Sequence, residues 1–152
     1  MKSHRTPAPG SGQTDRILAV VGATRDVPNG MRYDLEIANT DDRIPAVFMV
    51  PHAHEPLPAA LLLHGFGSRK ERMIDTLGEA LVQHHVAALA VDLPMHGGRA
   101  APGALQSANP MELFGTWSTA VNEARIALQF LATHEAIDAV RLAIVGYSLG
   151  AV

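Results

Sequence analysis

The chain has 152 residues, with 12 Lys and Arg residues against 15 Asp and Glu residues, a formal net charge of −3 and no cysteine. Its length fits one domain, and 47% hydrophobic with 18% charged residues is typical of a globular protein rather than a disordered one. The mildly acidic balance gives no support for a nucleic-acid partner or an anionic membrane surface. The absence of cysteine excludes a disulfide framework, a thiolate zinc site and a cysteine nucleophile.

The amino-terminal residues 1–16 are polar and rich in Pro, Gly and Ser. They predict a flexible tail before a domain at 17–152, and they contain no apolar segment of the kind that secretory signals have. The longest apolar runs have five and six residues, far fewer than the ~20 that span a bilayer. We therefore expect a cytoplasmic protein with no membrane association.

A β-hairpin is predicted directly after the tail. Residues 31–38 alternate apolar and polar side chains with period two, and residues 44–50 follow after a polar turn at 39–43. Three near-continuous apolar runs come next, at 59–63, 86–91 and 140–145. Such runs are typical of strands that are buried on both faces of a parallel sheet.

Helical patterns separate the three apolar runs. The first follows Ser68 and Glu71, which resemble a capping box, and has apolar residues at helical spacing over 73–81. The second begins with Asn-Pro-Met-Glu at 109–112, in which Asn caps the helix and Pro takes its first position, and it continues as an apolar stripe to Leu131. A hairpin followed by β-α-β-α-β predicts an α/β sandwich with right-handed crossovers.

The last apolar run leads into a G-x-S-x-G sequence at 146–150. A serine on a tight strand-to-helix turn needs small neighbours, and glycines two residues before and after it let the backbone fold sharply. The hydroxyl of Ser148 would then be exposed at the carboxyl edge of the sheet, facing the N–H groups of a following helix. A serine that only caps a glycine-flanked turn is the alternative, but the position directly after an apolar strand favours a nucleophile.

A glycine-bearing loop, His64-Gly65-Phe66-Gly67, ends the first buried strand. Acyl transfer needs two hydrogen-bond donors aimed at the carbonyl oxygen as it becomes an oxyanion. The backbone N–H groups of Phe66 and of Leu149 are the candidate donors, and the glycines let the backbone approach. A simple glycine turn before a helix is the alternative, which the position beside the G-x-S-x-G strand disfavours.

A third loop, at 92–99, follows the middle strand with the sequence DLPMHGGR. An acidic residue at the carboxyl end of a strand, followed by Pro and a His-Gly turn, indicates a loop that is fixed beside the site. We interpret Asp92 and His96 as residues that fix this loop. The alternative is that they act on Ser148 as its acid and base.

These three motifs together resemble the α/β-hydrolase superfamily over residues 31–152. Their spacing is most similar to that of dienelactone-hydrolase-type and prolyl-oligopeptidase-type esterases, and so is the strand at 43–51 that precedes them. The resemblance implies a serine nucleophile at Ser148 and an oxyanion hole from Phe66 and Leu149. It implies a small-molecule acyl substrate with an ester, thioester or amide bond, and no cofactor. Dienelactone hydrolases proper carry a cysteine nucleophile, so the serine favours the esterase side.

In the α/β-hydrolase fold the catalytic acid and histidine follow the nucleophile along the chain, whereas only four residues follow Ser148 here. The chain therefore resembles the amino-terminal part of an α/β-hydrolase sheet, which ends directly after the nucleophile. This part consists of an antiparallel hairpin and then parallel strands with helices on both faces. We expect a longer hydrolase with roughly a hundred further residues, and a chain that is inactive by itself. A non-catalytic binding protein with the same fold, or a half-domain completed by another chain, are the alternatives.

The remaining patterns favour solvated or core residues over functional ones. His52, His54 and the pair at 84–85 fit no metal-ligand spacing, so no metal site is predicted. The sequence Gly-Phe-Gly at 65–67 begins like a dinucleotide-binding loop, but Lys70 stands where the third glycine would be.

The sequence leaves the substrate open, because the acyl pocket and lid of the family come from the segment after the nucleophile. Met111, Phe114 and Trp117 are candidates for lining an entrance to the site. Their helical spacing is more typical of core residues.

Overall fold

The structure is a computed structural model that describes residues 17–38, 43–103 and 109–151. The side chains of residues 110, 113 and 114 are outside this description. The predicted tail at 1–16 and the predicted turn residues 39–42 also lie outside the described residues.

The described residues form one mixed sheet of six strands: β1 (Leu18–Val27), β2 (Gly30–Ala38), β3 (Arg43–Pro51), β4 (Leu57–Leu63), β5 (Ala87–Val91) and β6 (Ile137–Gly146). They lie in the order β1-β2-β3-β5-β4-β6. The pairs β1–β2, β2–β3 and β3–β5 are antiparallel, whereas β4 lies parallel to both β5 and β6. The hairpin of the sequence analysis corresponds to β2 and β3.

Helices connect the three parallel strands. Between β4 and β5 lie α1 (Lys70–Met73), a π-helical turn at Ile74–Gly78 and α2 (Glu79–Gln83), and between β5 and β6 lies α3 (Pro110–Thr133). Short 3₁₀ turns occupy Gly97–Arg99 and Ser148–Ala151. None of the described helices combines the length and hydropathy needed to cross a membrane. The predicted fold class, an antiparallel hairpin and then parallel strands with helices, is confirmed.

The sheet has a hydrophobic core on each face, because alternate residues of a strand point to opposite sides. Leu61 of β4 and Leu89 of β5 belong to the core beneath α3, which supplies Phe130 and Leu131 among others. The neighbouring residues of the same strands belong to the core beneath α1 and α2. As predicted, β4 and β5 are therefore buried on both faces.

The prediction that β6 is buried on both faces is wrong. Most of the run at 140–145 is exposed, and Val140 is 89% exposed. Within the described chain β6 pairs only with β4 and so forms an edge of the sheet. Ile137 and Leu142 pack against the core beneath α3. The apolar run thus identifies the strand, but burial also requires a neighbour on its far side.

Strand β1 is not predicted by the apolar patterns of the sequence. Its signal is Asn29-Gly30, a dipeptide that is typical of two-residue hairpin turns. Asn29 has φ of 64°, in the left-handed region that Asn tolerates well. A Cβ built at Gly30 would overlap the carbonyl oxygen of Val50 in β3, so the start of β2 requires glycine. Val27 pairs with Gly30 across the turn.

The two predicted helix starts have different outcomes. At α3 the capping box is confirmed, because Asn109 Oδ1 accepts from the Glu112 N–H at 2.9 Å and Glu112 Oε2 accepts from the Asn109 N–H at 3.1 Å. At α1 the predicted Ser68 cap is wrong. The N-cap residue there is Arg69, which makes no side-chain cap hydrogen bond. A buried carboxylate from the end of β5 instead accepts the first N–H of the helix at 2.8 Å.

Substitution of Phe48 tests the assignment of the core beneath α3. Its side chain is 1% exposed, and its ring meets that of Phe130 edge-on with centroids 5.6 Å apart. We expect Phe48→Ala to lower the free energy of unfolding by about 3–5 kcal/mol, measured by urea denaturation. Val20→Ala, at an exposed position of β1, is the control and should change it by no more than about 0.5 kcal/mol. Equal losses in the two variants would contradict this assignment of the core.

Candidate active site

Ser148 lies on a tight turn at the carboxyl end of β6 and has φ of 53°. This left-handed conformation is uncommon for a residue other than glycine, and such strain costs about 1–3 kcal/mol. The side chain is exposed, and its hydroxyl has no hydrogen-bond partner among the described residues. The backbone therefore presents a free hydroxyl at the carboxyl edge of the sheet.

Contacts require both glycines of the G-x-S-x-G sequence. A Cβ built at Gly146 would overlap the carbonyl oxygen of Gly150, and a Cβ at Gly150 would overlap that of Leu63. The Tyr147 N–H donates to the Leu63 carbonyl at 3.0 Å, and the Gly150 N–H donates to the Tyr147 carbonyl at 3.0 Å. The turn is thus folded tightly against the end of β4.

The loop after β4, residues 65–69, passes directly beside the serine. A Cβ built at Gly65 would lie 3.3 Å from Ser148 Cβ, so this close approach favours glycine. Gly67 has φ of 70°, and no atom of the described residues lies within 4 Å of a Cβ built there. Glycine is therefore favoured at this position by the backbone conformation and not by a close contact. In the described part of the chain, neither the Phe66 N–H nor the Leu149 N–H makes a hydrogen bond. The structure therefore places Ser148 and Leu149 on one turn and Phe66 on the loop that lies beside it.

His64, the residue directly before this loop, is completely buried. Its Nδ1 lies 2.8 Å from the Gly65 carbonyl oxygen, which can only accept, so Nδ1 donates. Its Nε2 accepts the Leu93 N–H at 3.1 Å. Burial lowers the pKa of His64 below its ordinary value of 6.5, against the opposing effect of the hydrogen bond to Gly65. His64 is thus a neutral residue that joins two loops.

Asp92 and His96 do not form an acid–base pair with Ser148. Asp92 is completely buried and is hydrogen-bonded to Lys70 and to the 92–99 loop, at Gly98. The Nδ1 atom of His96 donates to the Pro94 carbonyl at 2.8 Å. These contacts agree with the interpretation that both residues fix the loop. His96 is 4% exposed, and its Nε2 has no hydrogen-bond partner among the described residues.

Sequence reasoning missed three charged residues behind this site: Lys70, Arg99 and Glu123. Arg99 and the buried Glu123 form a two-bond ion pair at 2.6 and 2.7 Å, which joins the 92–99 loop to α3. The sequence did contain a signal for this ion pair. Glu123 lies within the apolar stripe of α3, where a charged side chain needs a partner.

An apolar cavity of about 210 Å³ lies between α3 and the serine turn. Phe66, His96, Trp117 and Leu149 are among the residues that line it. Trp117 therefore lines a cavity, although its helical spacing in the sequence is more typical of a core residue. Met111 is exposed, so it does not belong to the core either, and the side chain of Phe114 lies outside the described residues.

The other histidines singled out in the sequence are exposed. His52 and His54 lie between β3 and β4, and His84 and His85 follow α2. Across residues 17–38, 43–103 and 109–151, no group of three or more potential metal ligands is present.

Gly146→Ala tests the tight turn, with Gly115→Ala in α3 as a matched control. At Gly146 a Cβ would overlap backbone atoms, whereas at Gly115 no atom of the described residues lies within 4 Å of one. We expect Gly146→Ala to lower the free energy of unfolding by about 1–3 kcal/mol through overpacking. Gly115→Ala should raise it by up to about 1 kcal/mol, since alanine favours a helix. Changes of the same sign in chemical denaturation would contradict the turn geometry.

His64 makes stability depend on pH. Because burial lowers its pKa in the folded state, the unfolded state binds more protons once the pH falls below 6.5. The contribution of His64 to the free energy of unfolding is therefore complete above that pH. It is lost as the pH falls, by up to about 1.4 kcal/mol per pH unit. Urea denaturation between pH 7.5 and 5.5 should show a shallower dependence in His64→Gln than in the exposed control His52→Gln. Identical dependences would show that His64 is not held neutral.

No family model matches the chain, and no curated protein matches it in sequence. Solved structures with a similar fold include a candidate acetyl xylan esterase from Bacteroides fragilis, with 20% identity and a TM-score of 0.74 over 88% of this chain. Acetyl xylan esterase 1 from Thermoanaerobacterium sp. has 18% identity and a TM-score of 0.71 over 89% of this chain. An acetyl xylan esterase from Paenibacillus sp. R4 has 24% identity and a TM-score of 0.64 over 86% of it. This chain spans 42%, 46% and 46% of the three proteins, respectively. The chain therefore has the α/β-hydrolase fold, which it shares with these structures over about half of their length.

Proposed function

We propose that the protein is a serine hydrolase that cleaves carboxylic esters, or the related thioesters or amides, through Ser148. One observation carries the proposal: an exposed serine in a strained turn lies beside the backbone N–H groups of Phe66 and Leu149, which have no partner among the described residues. An acyl-transfer site needs this combination, because the nucleophile and the oxyanion donors must meet at one carbonyl group.

In the proposed reaction, Ser148 Oγ attacks the carbonyl carbon of the substrate while a general base takes its proton. The carbonyl oxygen becomes an oxyanion and accepts hydrogen bonds from the Phe66 and Leu149 N–H groups. One such donor contributes about 10²–10³-fold to the rate in other hydrolases. The base then passes the proton to the departing alcohol, thiol or amine, and water hydrolyses the acyl-serine by the same route.

The base and its acid are proposed to come from residues beyond Val152. Both buried histidines near the serine turn, His64 and His96, are hydrogen-bonded through Nδ1 to backbone carbonyls. Among the described residues, no histidine is hydrogen-bonded to Ser148. A serine hydroxyl without a base is a poor nucleophile at neutral pH, so the chain alone is expected to be inactive.

The surface around β6 supports a domain that further residues complete. The strand is exposed and apolar at Val140, Ile144 and Val145, and an apolar edge of this kind tends to pair with another strand. The apolar cavity lined by Leu149 and Gly150 lies at the turn that follows this strand. The length of the structures with a similar fold agrees with this proposal, since each is about twice as long as this chain.

The substrate is proposed to be a small-molecule ester. Three proteins with a similar fold are named as acetyl xylan esterases, and serine is the nucleophile that the sequence offers. From these names the proposal takes only the cleavage of an ester bond, with thioester and amide bonds as the related alternatives.

A fluorophosphonate probe tests the nucleophile directly. In a product that extends beyond Val152, we expect the probe to label the protein and p-nitrophenyl acetate to be hydrolysed. Ser148→Ala should abolish both, whereas Ser118→Ala, at an exposed serine of α3, should change neither. Labelling is read by mass spectrometry of the intact protein and of its peptides.

Other outcomes would favour the alternatives. Labelling that survives Ser148→Ala would contradict the assigned nucleophile. A folded product that neither labels nor hydrolyses esters would favour a binding protein with this fold. Activity that appears only when a second chain is added would favour a half-domain.

A further inference from the structure

The loop at 65–69, which carries the candidate oxyanion donor, is tied at both ends to the same neighbouring segment. Immediately before it, His64 accepts the Leu93 N–H at 3.1 Å. Immediately after it, Lys70 contacts Asp92 through both its backbone and its side chain. Asp92 and Leu93 are consecutive residues directly after β5. The two ends of the loop are therefore held at a fixed separation by one short piece of backbone.

The carboxylate of Asp92 has a single defined position. It is completely buried, its Oδ1 accepts the Lys70 N–H at 2.8 Å, and its Oδ2 accepts from Lys70 Nζ at 2.9 Å and from the Gly98 N–H at 2.9 Å. Gly97 has φ of 55°, and a Cβ built there would overlap the carboxylate. Hydrogen bonds to an ionised group are about twice as strong as neutral ones, so this arrangement resists displacement.

The ammonium group of Lys70 lies between two carboxylates. Nζ is 2.9 Å from Asp92 Oδ2 and 2.8 Å from Glu71 Oε1. Burial disfavours its charge, but the hydrogen bonds to Glu71 and Asp92 outweigh burial and raise the pKa of Lys70 above its ordinary value. Lys70 therefore keeps its positive charge at neutral pH, where it lies between these two carboxylates.

We infer that Lys70 and Asp92 are positioning residues for the candidate oxyanion hole. The inference rests on the proposed function, since it concerns the direction of the Phe66 N–H toward the reacting carbonyl. Lys70 directly follows the loop, so holding its N and Nζ on one buried carboxylate fixes the carboxyl end of the loop. Misplacement of a catalytic group by 1 Å can cost about 100-fold in rate.

Lys70→Met tests this role in the active, full-length protein. It removes the Nζ arm, keeps the backbone N–H that bonds Asp92, and retains a side chain of similar length. We expect kcat for p-nitrophenyl acetate to fall about 10- to 100-fold per active site counted by fluorophosphonate titration, with KM changed less than about threefold. The inhibition constant of a trifluoromethyl ketone, which uses the oxyanion hole, should rise by the factor by which kcat/KM falls.

Arg43→Met is the matched control. Arg43 is also a cation paired with a carboxylate, at 3.2 Å from Glu36, but its side chain is 73% exposed and it lies away from the site on β3. It should leave kcat and the inhibition constant unchanged. If Lys70→Met yields no titratable sites, Lys70→Gln repeats the measurement with a neutral polar side chain.

The outcomes separate the inference from the function on which it rests. A Lys70 variant with normal kcat per titrated site overturns the positioning role, even if its melting temperature is lower, because that pattern indicates a structural ion pair. A wild-type protein without Ser148-dependent turnover overturns the proposed function, and the positioning role with it.

Discussion

The carbonyl oxygen of Leu63, at the end of β4, is the contact on which the geometry of the site depends. It accepts the Tyr147 N–H at 3.0 Å, and the backbone of Gly150 lies so close to it that no Cβ fits. Because β4 and β6 pair in parallel as far as Leu63 and Gly146, this contact fixes the serine turn relative to the strand that begins the neighbouring loop. The close approach of Gly65 to Ser148 is a consequence of that register.

Behind this backbone contact, two charged pairs hold the loops in place. Lys70 with Asp92 joins the 65–69 loop to the end of β5, and Arg99 with Glu123 joins the 92–99 loop to α3. Buried ion pairs add little net stability compared with apolar residues of the same volume, but removal of one partner costs about 3–5 kcal/mol. Such pairs do, however, define the relative positions of the two segments that they join. They occur here in two loops that lie beside the turn of Ser148, the proposed nucleophile.

The parts of the fold that the sequence predicted are those with a local physical cause. Buried strands need continuous apolar residues, which identified β4 and β5, and a helix start needs a nearby acceptor, which identified Asn109. The errors arose where a distant partner decides the outcome. Ser68 does not cap α1 because the carboxylate of Asp92 takes that role, and β6 is exposed because the described chain supplies no strand beside it. β1 was missed although Asn29-Gly30 is a local signal, because its own residues show no clear alternation.

The same distinction explains why the sequence predicts one half of the site in detail. A strained serine turn and backbone donors are properties of single strand-to-loop junctions, so glycine spacing predicts them at Ser148, Phe66 and Leu149. The charged residues that hold these junctions come from three separate segments, and only the folded chain brings Lys70, Asp92 and Gly98 together. The conformation of Ser148 costs about 1–3 kcal/mol, and contacts within the described residues oppose its relaxation. The backbone positions of the proposed oxyanion donors are thus held by contacts within this chain, independently of the residues that would supply a base.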